Sequence, residues 1–251
     1  MIMQRRWTGV GFGAAALVSS GVYGVLRARK PGGSRVWERV NRAGRGVDLC
    51  AGPAAAAGVL AGLSPLPSRV RGAGALAVVV SAVCGAYDDH AGAGDPRRGF
   101  RAHLAALRGG EVTSGAVKLF GIGGAGLVAG AVLRPRVVDK VLAGVVIAGS
   151  AHLVNLLDVR PGRAAGAVVA LGLPGMVRGV DAAAAPVGAA VALLRDDLAA
   201  RTMLGDTGAH ALGAGLGTAV VAGNGRTGLA LHAAALVAVA LVVEVKSPQS
   251  G

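Results

Sequence analysis

Residues 70–89 read Val70-Arg-Gly-Ala-Gly-Ala-Leu-Ala-Val-Val-Val-Ser-Ala-Val-Cys-Gly-Ala-Tyr87-Asp88-Asp89. Between Gly72 and Tyr87 nothing is charged, and the run ends on two adjacent carboxylates. A helix crosses a bilayer with about 20 mostly apolar residues, about 17 at the lower limit, and a charge at its centre costs on the order of 3 kcal/mol. The charges at each end therefore mark where this segment leaves the lipid. The same pattern recurs on both sides of it. Apolar stretches predict helices near 8–26, 47–63, 70–87, 116–133, 137–155, 164–180, 181–194, 207–222 and 227–243, about nine in all. Pro174 and Pro186 interrupt the sixth and seventh, and Arg178 and Asp181 leave little room for a turn. These two are either separate helices or one broken, re-entrant pair.

Composition agrees. Of 251 residues, 53% are hydrophobic and 16% charged, with a mean hydropathy of +0.58, more apolar surface than a soluble core of this size uses. The chain reads as an all-α, polytopic integral membrane bundle forming a single membrane domain over residues 1–251. Aromatic residues make up 3% and there are 43 glycines, so the helices must pack through small residues. The net charge of +13 would point to nucleic acid in a soluble protein. Here the basic residues sit in loops between apolar runs and do not alternate with aromatics, so nucleic acid is excluded and membrane lipid headgroups and phosphorylated substrates are the expected partners. Cys50 and Cys84 lack metal-ligand spacing and read as buried free thiols. Arg5 and Arg6 before an apolar run imitate a secretory signal, but no small-x-small site follows and a stronger basic cluster does, so this is read as a first transmembrane helix.

Basic residues set the orientation. Arg27, Arg29, Lys30, Arg35, Arg39, Arg42 and Arg45 fall in one loop, and Arg97, Arg98, Arg101 and Arg108 in another. The positive-inside rule makes both cytoplasmic. Alternation then gives cytoplasmic segments 27–46, 88–115, 156–163 and 195–206, with the N-terminus outside and the C-terminus inside. The bias is not absolute, since Arg69, Arg71, Arg134, Arg136 and Lys140, among others, fall outside. Arginine and lysine alone fix this choice, yet it places Asp88, Asp89, Asp158 and Asp206 on one face. Within the second loop, Phe100 to Arg108 has apolar residues at helical spacing with basic residues between, as in a helix at the membrane surface. Gly121 to Gly126 imitates a nucleotide loop but lies in an apolar span with no strand before it, so packing explains it better.

Each acidic motif has two readings. Adjacent aspartates both stay ionised only where solvent or a cation compensates, so Asp88-Asp89 is either a solvated helix end or a magnesium and phosphate site. Asn155 and Asp158 share a face if the fifth helix continues through them, with Arg160 and Arg163 following; this is a structural ion pair or a site where arginines hold a diphosphate and the carboxylate faces metal. In Gly205-Asp206-Thr207-Gly208 the aspartate either caps a helix or takes part in metal-phosphate binding. His210, four residues on, is a packed core histidine or a partner of Asp206.

Ala86-Tyr-Asp88-Asp89, Asn155-Leu-Leu-Asp158 and Met203-Leu-Gly-Asp206-Thr-Gly-Ala-His-Ala-Leu-Gly213, in this order, resemble the signatures of the polyprenyl-phosphate N-acetylhexosamine-1-phosphate transferases, glycosyltransferase family 4, which include phospho-N-acetylmuramoyl-pentapeptide transferase. Asn41-Arg-Ala-Gly44 and Lys118 also resemble family positions, so the likeness runs from about residue 39 to 217. It implies transfer of a sugar-1-phosphate from a UDP-sugar or related nucleotide sugar to a polyprenyl phosphate. The reaction takes place at the cytoplasmic face of a bacterial inner membrane, with magnesium, or manganese in its place. By the resemblance, Asp206 is the metal ligand and Asp88 engages or deprotonates the lipid phosphate. Asp89 and Asp158 complete the acidic site and Lys118 neutralises phosphate. Asn41, Asn155, Arg160, Arg163, Thr207 and His210 contact substrate; a homodimer is compatible with all of this. The chain departs from the family where Asp158-Val-Arg-Pro161-Gly162 replaces Asp-Gly-Leu-Asp-Gly and where Gly92 stands for an expected lysine. The last cytoplasmic loop with its histidine cluster and a tenth helix are also absent from the sequence, which argues against peptidoglycan-precursor synthesis. The rival expectation is an inactive relative that binds lipid phosphate as an envelope scaffold. A transporter is disfavoured because the charges cluster at one edge of the spans.

Overall fold

A computed structural model describes residues 2–41, 43–92, 97 and 99–246; Met1, Arg42 and Arg98 therefore lie outside the described residues. The described chain is an all-α bundle with one small hairpin. Its elements are α1 (Ile2–Arg29), α2 (Ser34–Trp37), β1 (Glu38–Val40), β2 (Gly46–Asp48), α3 (Ala51–Leu63), α4 (Ser68–Ala91), α5 (Gly99–Arg108) and α6 (Ser114–Leu133). They continue with α7 (Val137–Leu157), α8 (Arg163–Val177), a 3-10 turn (Asp181–Ala183), α9 (Ala184–Leu198), α10 (Gly205–Gly223) and α11 (Arg226–Lys246).

Among the described residues five helices are long and apolar enough to cross a membrane: α1 from Trp7, α4, α6, α7 and α11. The other four expected spans fall on α3, α8, α9 and α10, with 13, 15, 15 and 19 residues. The first three are shorter than the crossing limit of about 17. The second span was read from residue 47, but 46–48 form β2, and Pro65 and Pro67 follow the end of α3. The stretch around Pro174 and Pro186 is two helices joined by the 3-10 turn: Pro174 sits inside α8, and Pro186 in the first turn of α9, where no helical amide is needed. α10 is long but rich in glycine and alanine, and buried on nearly every side. It packs against α3, α4, α7 and α8, so close approach to protein rather than lipid sets its composition.

That close approach is visible at Gly85 of α4, where a Cβ would overlap the backbone of Asp206 and Thr207. α6 and α7 likewise meet at Gly126, Gly130 and Gly144, so the glycine run in α6 serves packing, although Gly123 and Gly124 face open space. At one end of the bundle Asp139 accepts from Arg226, and the Arg134 guanidinium donates to the carbonyls of Val221 and Asn224. At the other end lie the C-termini of α1, α4, α7 and α11 and the N-termini of α3, α6, α8 and α10, where the acidic motifs are. Cys50 and Cys84 are buried free thiols.

Candidate active site

Asp88 and Asp89 occupy the last turn of α4, and successive helical positions diverge by about 100°, so the two carboxylates point apart. Asp89 faces the start of α10. Its Oδ1 accepts the Asp206 amide at 2.9 Å, and its Oδ2 accepts the Thr207 amide at 3.0 Å and the Thr207 hydroxyl at 2.6 Å. The N-terminal amides of α10 have no cap from their own segment, because Leu204 and Gly205 precede them, and Asp89 supplies one from α4. Gly205 takes φ +59°, and a Cβ there would press on the Asp89 carboxylate at 2.9 Å. Glycine is thus required twice over.

Asp88 faces α6. Lys118 donates from Nζ to Asp88 Oδ2 at 2.7 Å and to Asp206 Oδ2 at 2.5 Å. The three side chains are 20–23% exposed, so the ammonium is held between two carboxylates in a half-buried recess. Ser114 Oγ lies beside the Asp88 carboxylate, both next to Gly92, and the Asp88 and Asp206 carboxylates converge on the one ammonium. The start of α6 is fixed by Thr113, whose Oγ1 accepts the Ala116 amide at 3.1 Å and meets His103 Nδ1 of α5 at 3.0 Å. α5 is tied in turn to the end of α11: Glu244 accepts the amides of Phe100 at 2.8 Å and Arg101 at 3.0 Å, while the Phe100 ring packs on His152 of α7 at 4.9 Å. A helix is present over Gly99–Arg108, where the sequence predicts one, and it is anchored at its N-terminus to the bundle.

Asp158 ends α7, partly buried. Burial pushes its carboxyl up to about 8, the negative charges of Asp197, Asp206 and Asp89 add to the rise, and a backbone hydrogen bond from Gly205 opposes it. Asn155 lies one turn before it, half-buried. Beyond Asp158 a cleft of about 570 Å³ opens between the α7–α8 turn and the hairpin tip, lined by Asn41, Ala43, Val159, Arg160, Pro161 and Arg163. Three of the expected substrate residues meet there although Asn41 and Arg160 are far apart in sequence. The Asn41 Oδ1 also accepts the amides of Ala43 and Arg45, which closes the tip.

Two expected substrate contacts find internal partners. Thr207 is 6% exposed and bonded to Asp89. His210 is 3% exposed, with Nδ1 2.7 Å from the Asp206 carbonyl of its own helix, the geometry of a packed core histidine. Metal fit rests on the donor set. Among the described residues no three His, Cys, Asp or Glu side chains gather to hold a metal ion. Magnesium at a phosphate-transfer centre takes about one or two carboxylates, with waters and substrate phosphates for the rest. Asp88 and Asp206, converging on one cation, fit that requirement; a closed protein cage does not.

Several residues near the site went unnoticed in the sequence. Asp48 accepts the Cys50 amide at 3.1 Å and the Thr202 hydroxyl at 2.7 Å, and pairs with Arg27 at 3.2 Å, joining α1, β2 and the turn before α10. Asp197 is 1% exposed and accepts the Gly162 amide. The available signal was a second adjacent pair, Asp196-Asp197, at the end of an apolar run, formally like Asp88-Asp89. No family model and no curated protein matches the chain.

Proposed function

We propose that this chain is a phosphoglycosyl transferase, moving a sugar-1-phosphate from a nucleotide-diphosphate sugar such as a UDP-sugar to a polyprenyl phosphate in cell-envelope glycan synthesis. The observation that carries this reading is Lys118 held between Asp88 and Asp206, one from each of two motifs, at the same end of the bundle as a cleft lined by Asn41, Arg160 and Arg163. An oxygen of the acceptor phosphate attacks the sugar-bearing phosphorus, a new P–O bond forms, the bond from that phosphorus to the bridging oxygen breaks, and UMP leaves. Such a reaction needs positioning and charge neutralisation more than a strong base. Lys118 neutralises the meeting phosphates, Asp88 orients the acceptor, and Arg160 and Arg163 hold the diphosphate of the donor. Asp206 with Asp88 would hold magnesium, or manganese, which would screen charge on the diphosphate. Asp89 and Thr207 keep the first turn of α10 in place.

The likeness of the motifs to polyprenyl-phosphate transferases supports the same reading, together with a bacterial cytoplasmic membrane location, an outer N-terminus and an active face in the cytoplasm. A second reading, a lipid-phosphate-binding scaffold without activity, draws on Val159-Arg160-Pro161, which replaces a carboxylate-bearing loop with guanidinium groups. The test is incubation of purified protein with undecaprenyl or decaprenyl phosphate, magnesium and a panel of UDP-sugars, measuring UMP. Release with one donor, slowed at least tenfold by Arg160→Gln with Arg163→Gln, is expected. Absence of release across the panel in protein that binds the lipid phosphate would move the conclusion to the scaffold.

A further inference from the structure

The hairpin β1–β2 has a second cleft on its other side. It measures about 630 Å³ and is walled by Arg27, Lys30, Arg39, Arg201, Glu38 and Asp48. Among the described residues none of these side chains hydrogen-bonds Asp88, Lys118 or Asp206, although Arg39 donates to the neighbouring Asp89 carbonyl at 3.0 Å. Four cations therefore face two carboxylates. Arg27 is paired with Asp48, Lys30 with Glu38 at 2.7 Å and Arg201 with Asp196 at 2.6 Å. Arg39 donates to the carbonyls of Arg35, Val36 and Glu38 as well as Asp89. Its charge thus lacks a carboxylate partner among the described residues. The Lys30–Glu38 pair is solvent-exposed, and water and salt screen such a pair, so an incoming anion can compete for the ammonium.

The position of the cleft decides what kind of anion. Arg27 stands in the last turn of α1, a helix long and apolar enough to cross a membrane, whose outer face carries Leu17 at 76% and Val25 at 50% exposure. Arg27 is also stacked over the Tyr23 ring at 5.5 Å, which holds the guanidinium at the helix end. The cations thus lie at the depth where the apolar belt of α1 gives way to water. The lip of the cleft is apolar: Val40 lines it and is 73% exposed. A soluble phosphate would leave that valine in water, whereas a phosphate carrying acyl chains covers it. We infer that this cleft binds the phosphate of an anionic phospholipid headgroup, with Lys30, Arg39 and Arg201 around the phosphate and the acyl chains running along Val40 and the outer face of α1. Basic clusters at a membrane interface attract anionic lipids. Because Arg39 also reaches the carbonyl of Asp89, the lipid would brace the hairpin between the two clefts. The inference does not depend on the proposed transfer reaction.

Calorimetric titration of the full-length protein in a neutral detergent tests it, with dioctanoyl phosphatidylglycerol as the probe. Dioctanoyl phosphatidylcholine and inorganic phosphate form the comparison arms. Saturable binding of phosphatidylglycerol is expected, at least about tenfold tighter than either comparison, and weakened about tenfold by Lys30→Gln with Arg201→Gln. Glu38→Gln, which frees Lys30, is expected to tighten binding severalfold, a gain that misfolding cannot imitate. Equal affinity in the double variant and the parent, or no tightening in Glu38→Gln, would overturn the assignment of the cleft. Inorganic phosphate binding as tightly as phosphatidylglycerol would overturn the lipid, and lack of saturable binding would overturn both.

Discussion

Two adjacent aspartates do different work because one helical step turns their side chains apart. Asp89 has three donors, all on Asp206 and Thr207, so its substitution is a loss of architecture. Asp89→Ala should lower stability by about 1–3 kcal/mol, as for a removed cap with orphaned amides, read as a fall in the melting temperature. Lys118→Ala leaves Asp88 and Asp206 facing each other without their shared ammonium. The group is about a fifth exposed, so the expected cost is about 1–3 kcal/mol, below that of a fully buried pair. Magnesium should raise the melting temperature of Lys118→Ala more than that of the parent, since two carboxylates then face each other without a cation. An equal rise in both proteins would mean that these carboxylates do not take the ion. Asp158 gives a pH signature. Its carboxyl stands near 8 in the folded chain against an ordinary value of 3.8, so the folded state holds the proton more tightly than the unfolded chain. That contribution is whole below about pH 4 and is lost as pH rises toward 8. In metal-free buffer the melting temperature of the parent should therefore drop relative to Asp158→Asn between pH 5 and 8, by about 2–4 °C for each kcal/mol in a chain of this size. Parallel curves would refute the burial of that carboxyl.

At the scale of elements, α10 is the post around which the site is assembled, and small residues let other helices reach it. Gly85→Val should force α4 away from the first turn of α10 and separate Asp88 from Asp206, with loss of both stability and any transfer activity. The α5 helix depends on Glu244. Glu244→Ala should speed hydrogen exchange at the amides of 99–104 several-fold while leaving the core of α10 protected. Much of this was legible in the chain. Charge at the ends of apolar runs located the helices, the α5 amphipathic pattern located a helix in a loop, and alternation of the spans brought Asp88, Asp158 and Asp206 to one end. The hairpin was not legible, because strands of three residues carry too little periodicity. Nor was the α10 cap, since Asp89 and Thr207 are 118 positions apart and nothing local in either segment announces the pairing. Thr207, next to Asp206, and His210, one turn beyond it, read as substrate contacts for a related reason: a polar residue near an aspartate on a helix looks the same in sequence whether it faces a cleft or the core.

In the whole molecule, one end of the bundle is held by Arg134 on backbone carbonyls and by the Asp139–Arg226 pair, and the other by carboxylates meeting cations around two clefts. The hairpin stands between those clefts, with Asn41 on the side of Arg160 and Arg163 and Arg39 on the side of Arg27 and Arg201. On the proposed readings, a soluble anionic donor and a membrane-borne phosphate would have separate approaches to the same end. If that end is cytoplasmic, a cysteine at Ala43 in a background lacking Cys50 and Cys84 should react with an impermeant thiol reagent only after the cells are opened. Labelling in intact cells would invert the proposed topology. The central claim is that Asp88 and Asp206 act on substrate while Asp89 builds the site. It is tested most directly by UMP release from the accepted UDP-sugar in the presence of polyprenyl phosphate, measured alongside melting temperature for Asp88→Asn, Asp89→Asn and Asp206→Asn. The account predicts that release falls at least about a hundredfold in Asp88→Asn and Asp206→Asn with the fold retained, and that Asp89→Asn is the variant whose melting temperature falls most. Release unchanged in Asp88→Asn and Asp206→Asn would contradict it.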